Sequence, residues 1–187
     1  GFNSKGTDDK IKNLQDIVNN YPRSQYLMAS VYEIGISFRS KEQDDKALPY
    51  FQQLVKDYPT STLVPDASIN IADIYFKRKE FAKAEDLYQK IVKDYGTDLS
   101  ICSNAVKGLS AIYKAQKQLE KLEGLSVYNC SDDIVDDLED SYYNAAFDPY
   151  DDSSFVEAIP DLEKYLQKYP NGKYHVEITA YLANSIY

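Results

Sequence analysis

Two cysteines, one histidine and a long run of carboxylates are the side chains here whose types could do chemistry. If a turn falls near residues 116–118, Cys102 and Cys130 lie at similar distances from it on antiparallel helices. That brings them within the Cα separation of about 5.5–6 Å that a disulfide requires. Such a bridge suits an oxidising compartment, while two buried free thiols are the other reading, since Cys also packs as a small apolar residue. Zinc needs more ligands than these two thiols and the distant His175 supply. His175 has no Ser-x-x-Lys, Gly-x-Ser-x-Gly or phosphate-cradling glycine loop near it. From Asp132 to Glu163 there are 12 Asp or Glu and no Lys or Arg, leaving the rest of the chain at +3. The run could serve as a patch for a basic partner, or "DPYDDSS", Asp148 to Ser154, as a loose calcium site, though it lacks the Asp-x-Asp-x-Asp-Gly spacing. Solvated loops and helix starts, where Asp and Ser cap, account for it better. The expectation is no catalytic residue, no metal and no cofactor.

The bulk composition narrows the partners. A net charge of −9 opposes nucleic acid, whose phosphates demand a basic surface, and opposes a polybasic membrane-surface role. No apolar run approaches the ~20 residues of a membrane helix. The chain opens on Gly, which reads as a cleavage scar with residues 1–7 unstructured, on a fragment of a longer protein.

The elements that must position these residues announce themselves by repetition. "IVNNYPRS", "LVKDYPTS", "IVKDYGTD" and "YLQKYPNG" carry Tyr21, Tyr58, Tyr95 and Tyr169, at steps of 37, 37 and 74. Between phrases lie two amphipathic stretches. In the second of the first full unit Ala47, Leu48, Phe51, Leu54 and Val55 mark one helix face. Asp44 and Asp45 sit at its start, where the helix dipole favours negative charge. Pro59 ends it, because proline cannot continue a helix and restricts its predecessor. The phrase is a stop signal closing one helix and turning into the next.

A helix-turn-helix unit of this length resembles the tetratricopeptide repeat. That family places a small residue and an aromatic three apart in helix A, then Ala, an aromatic, a small or apolar residue and Pro in helix B. Gly35, Phe38, Ala47, Phe51, Leu54 and Pro59 follow it, as do Ala72, Tyr75, Ala84, Tyr88 and Ile91, with Gly96 in place of proline. A third copy keeps Ile112 and Tyr113 but has Leu122 for alanine and Ser126 for the aromatic. A fourth runs Ala146, Ala158, Leu162, Tyr165, Pro170, with Pro149 in place of the helix-A aromatic. The resemblance implies an all-α solenoid, a right-handed superhelix of antiparallel hairpins with about ten helices. It reads as one repeat domain over 8–187: a lone helix B at 8–20, hairpins near 24–58, 62–95, 99–130 and 135–169, and a terminal helix A at 174–187. The 36–37-residue form with Tyr-Pro-x-Ser is similar to tetratricopeptide proteins of the bacterial envelope, so periplasm or envelope is favoured over cytoplasm.

In such arrays the A helices line the concave side. Carrying the family's groove positions across implies Tyr32, Ile36 and Arg39, then Ile69, Asp73 and Phe76, then Lys107 and Lys114, then Tyr143, Phe147 and Tyr150. A groove rich in Tyr, Ile and Phe suits a partner's extended or helical peptide; the bland alternative is that these rings pack between hairpins. The Lys, Arg and Asn set with which chaperone-binding relatives hold a C-terminal carboxylate is missing, its positions holding Tyr32, Ile36, Ile69 and Asp73. The function expected is a non-catalytic protein-binding scaffold. Its rivals are a structural spacer that self-associates through truncated ends, and the regulatory arm of an enzyme whose catalytic domain lies elsewhere.

Overall fold

Alternating amphipathic stretches with regular stops build hairpins of helices. The computed structural model describes residues 4–130, 138–151 and 154–186; among them are ten α-helices, one short 3-10 turn and no strand. The helices are α1 (Ser4–Asn20), α2 (Leu27–Arg39), α3 (Asp44–Asp57), α4 (Val64–Lys77), α5 (Phe81–Tyr95), α6 (Leu99–Ala115), α7 (Leu119–Gly124, continued by the 3-10 turn Leu125–Val127), α8 (Leu138–Asp151), α9 (Phe155–Lys168) and α10 (His175–Ile186). They form two compact units, residues 1–108 and 109–187. The first residues of the expected 1–7 start and of the 135–169 hairpin lie outside the described residues, as do Asp132, Asp133, Asp136, Asp137, Asp152, Ser153 and Tyr187.

In the first unit chain neighbours are spatial neighbours: α1 packs on α2, α2 on α3, α3 on α4 and α4 on α5. The helix face read from α3 is the buried one, with Ala47, Leu48, Phe51 and Leu54 joining Val31, Val64, Ala67, Ile71 and Ile74 in one apolar cluster. Burying a side chain the size of Phe51 contributes roughly 1.5–3 kcal/mol. In the second unit α9 packs on both α8 and α10, burying Tyr142, Ala145, Ala146, Ala158, Leu162, Tyr165 and Ile178.

Close packing of hairpins depends on missing side chains at two places. A methyl group on Gly35 would sit 2.6 Å from the Phe51 ring, and one on Gly108 would overlap the ring of Tyr88. Both rings are buried, so glycine is the side chain that admits them.

Two turns recur. Where helix B passes to helix A, Tyr21, Ser24 and Leu27 donate their amides to the carbonyls of Ile17, Tyr21 and Ser24. The same three bonds return at Tyr58, Ser61 and Val64, and again at Tyr169, Gly172 and His175. Here the serine of the phrase has a purpose: Ser24 Oγ accepts from the Tyr26 amide at 3.1 Å, Ser61 Oγ from Leu63 at 3.3 Å, and Asp98 serves likewise for Ser100 and Ile101. Where helix A passes to helix B, the amides of Gln43, Glu80, Gln118 and Ser154 donate to the carbonyls of Phe38, Tyr75, Tyr113 and Pro149. Just before the first three donors stand Glu42, Lys79 and Lys117, with φ of 57°, 60° and 53°. The left-handed residue lets the last helical carbonyls find donors.

Candidate functional site

On the first unit, α2 and α4 present the expected positions side by side. Tyr32, Ile36 and Arg39 lie on α2; Ile69, Asp73 and Phe76 lie on α4; all six are half-buried. Tyr32 meets Phe51 edge-on at 5.8 Å between ring centres, and Phe76 tilts against Phe81 at 5.6 Å. Ile36 packs on the core cluster. The charged members face each other: Arg39 Nη1 donates to Asn70 Oδ1 at 2.5 Å and to Asp73 Oδ2 at 3.1 Å. The Tyr88 hydroxyl donates to the other Asp73 oxygen at 2.5 Å, and Asn70 Nδ2 donates to the Asp66 carbonyl at 2.8 Å. Burial, followed by its bond to Asp73, raises the Tyr88 phenol far above its usual range. Burial and then the Asp66 charge raise that of Tyr32. The two charges are therefore spent on positioning, and the open surface between the helices belongs to Tyr32, Ile36, Ile69 and Phe76.

Lys107 and Lys114 are exposed on α6. Lys114 lines a small cavity of about 170 Å³ with Lys117, Leu119, Ser141, Asn144, Ala145 and Asp148. Its charge adds to what holds the Asp140 carboxyl below its ordinary range, chiefly the bonds from Lys173 and the Tyr174 hydroxyl.

On the second unit Tyr143, Phe147 and Tyr150 share one face of α8, and the structure continues that face with rings the repeat pattern did not identify. Tyr143 stacks on Tyr174 at 4.0 Å and on Phe147 at 5.6 Å. Phe147 meets Tyr181 at 5.5 Å, Tyr181 meets Tyr150 at 4.4 Å, and Tyr150 meets Phe155 at 5.1 Å. Glu177 accepts from the hydroxyls of both Tyr143, at 3.1 Å, and Tyr181. Asp140 accepts from Tyr174 at 2.8 Å. Those bonds to carboxylates are the chief cause of the raised Tyr174 and Tyr181 phenols; for Tyr143 burial comes first. One more period beyond Tyr143 and Phe147 lands on Ala180 and Asn184, and Asn184 does reach the Tyr150 hydroxyl at 3.4 Å. Tyr174 and Tyr181 fall between counted positions, so period alone did not reveal them.

The other candidates that the structure describes make local contacts. Glu139 accepts from the Tyr165 hydroxyl at 2.6 Å and the Lys173 amide at 2.7 Å, pinning the turn after α9. Asp148 pairs with Lys117 at 3.0 Å. His175 donates its amide to the Gly172 carbonyl at 3.1 Å and opens α10. Cys102 and Cys130 are both disulfide-bonded, and neither is a free thiol. Among the described residues no three His, Cys, Asp or Glu side chains gather around a metal position, and no helix is long and apolar enough to cross a membrane. No curated protein matches the chain. A family model does, over residues 28–185: that of YfiO, described as an outer membrane lipoprotein.

Proposed function

We propose that this chain, which belongs to the YfiO family of outer membrane lipoproteins, is a non-catalytic interaction module that holds a segment of a partner protein on its A-helix faces. Family membership places the protein in the cell envelope rather than the cytoplasm, and its hairpins are tetratricopeptide-like. In our reading the repeat is the 36–37-residue envelope form, and the groove residues are those on α2 and α4 and on α8. The observation that carries this is the half-burial of Tyr32, Phe76, Tyr143, Phe147 and Tyr150. Each ring is held in place by another ring while part of its surface stays open. Rings fixed before binding lose little freedom on contact, which is what makes aromatic anchors effective.

Display of envelope-protein segments as peptides, with capture by the full chain, tests the reading. Phe76→Ala, Tyr32→Ala and Phe147→Ala, each checked for intact helicity, should weaken capture about tenfold or more, the scale of an aromatic hot spot. Unchanged capture by all three folded variants would rule the reading out.

A further inference from the structure

The second unit, which carries the longer aromatic face, is strongly acidic in sequence. Residues 1–108 balance fifteen Lys or Arg against fifteen Asp or Glu, whereas residues 109–187 set six Lys against fifteen Asp or Glu, so the whole net charge of −9 belongs to the second unit. Its lysines are largely committed. Lys117 pairs with Asp148, Lys164 with Glu120, Lys168 with Glu123 and Lys173 with Asp140. Lys164 and Lys168 also lie 5.6 and 5.1 Å above the Tyr142 ring, Lys121 5.3 Å above Tyr113, and Lys173 5.1 Å above Tyr174. Four of the unit's lysines, Lys121, Lys164, Lys168 and Lys173, thus lie over a phenol ring.

No described cation covers Tyr143, Phe147, Tyr150, Tyr181 or Phe155. These rings form a continuous row, on α8 and α10 and ending at Phe155 where α9 begins; the four tyrosine and phenylalanine rings of α8 and α10 are half-buried and Phe155 is 42% exposed. Two of the hydroxyls, those of Tyr143 and Tyr181, donate to the single carboxylate of Glu177. A phenol that donates to an anion pushes electron density into its ring, which strengthens the negative face that attracts a cation.

We infer that the α8–α10 face binds a segment of another envelope protein that carries arginine or lysine, the cationic side chains lying on the rings of Tyr143, Phe147, Tyr150 and Tyr181. Glu177 supplies the opposite charge at the centre of the row. The excess carboxylates of the unit draw such a segment in from a distance. This rests on the reading that the A-helix faces bind partner segments, and adds which chemistry this face selects.

The test is isothermal titration of the full chain with three unstructured twelve-residue peptides: arginine alternating with glycine and serine, and the same sequence with glutamine or glutamate for each arginine. The arginine peptide should bind at least tenfold more tightly than the glutamine one, and the glutamate one should not bind. Phe147→Leu and Tyr181→Leu should each weaken the arginine peptide about fivefold or more, within the range of a cation on a ring. Tyr181→Phe, which keeps the ring but loses the bond to Glu177, should weaken binding less than Tyr181→Leu does; equal melting temperatures confirm that each variant folds. Equal affinity for the arginine and glutamine peptides overturns the inference. So does arginine binding that both leucine variants leave unchanged, which would be bulk charge attraction alone. If Phe147→Leu abolishes capture of a neutral peptide that arginine does not improve, the selection of cations fails while the binding face stands. If no peptide of any charge binds and display finds none, both readings fall together.

Discussion

Gly35 and Gly108 show how much a single absent carbon decides. The Phe51 ring fills the space over Gly35 and the Tyr88 ring that over Gly108. A branched side chain at either place has to push a buried ring aside. We predict that Gly35→Val destabilises the protein by about 1–3 kcal/mol, the usual cost of overpacking, read as a lowered thermal or urea midpoint. Combining it with Phe51→Leu should recover part of the loss; a melt unchanged by Gly35→Val would show that the hairpin has slack. Gly35 was legible in the sequence because it sits at the repeat's small position. Gly108 was not, since counting 37 from Ala72 lands on Leu109. Asn70 and Tyr88 were harder still: which polar group a buried residue answers is settled by its partner across the interface, here Arg39 and Asp73, and spacing along one helix does not report it.

At the scale of elements the contrast lies between the two turns. The B-to-A turn is written in Tyr, Pro and Ser, each with a mechanism that sequence reading can use. The A-to-B turn is written in Glu42, Lys79 and Lys117, none of which advertises positive φ. Its regularity shows only in the backbone bonds of Gln43, Glu80, Gln118 and Ser154, spaced by 37, 38 and 36 residues. The one-residue slip falls at the third copy. Measured from its own turn, Leu122 stands four residues after the donor amide, as Ala47, Ala84 and Ala158 do, and all four are fully buried. Non-glycine residues at these φ values carry strain. Lys79→Gly should therefore raise stability by about 0.5–1 kcal/mol, strain relief outweighing the added freedom of the unfolded chain. Chemical denaturation would check it, and a loss of stability would mean that the lysine side chain contributes more than the strain costs.

For the molecule as a whole, fold class was readable because a period of 37 survives degenerate copies, whereas the charge partition between the units emerges only once their boundary is known. The tyrosines give a global prediction. Tyr32, Tyr88, Tyr142, Tyr143, Tyr165 and Tyr169 have phenols raised first by burial, and Tyr174 and Tyr181 first by their bonds to carboxylates. A group that holds its proton more tightly when folded adds stability that is complete below its unfolded pKa, about 10 for Tyr, and is lost as pH rises beyond it. The protein should therefore unfold cooperatively above about pH 10, with tyrosinate absorbance and loss of helical dichroism rising together. Independent ionisation near pH 10 with the helices intact would contradict this.

The row of rings from Tyr174 to Phe155 also makes the molecule its own optical probe. The chain has no tryptophan and 18 tyrosines, so phenols dominate its near-ultraviolet emission, and a phenol bonded to a carboxylate emits weakly. Anything that settles on α8 and α10 and disturbs the grip of Glu177 on Tyr143 and Tyr181 changes that light, with no label attached.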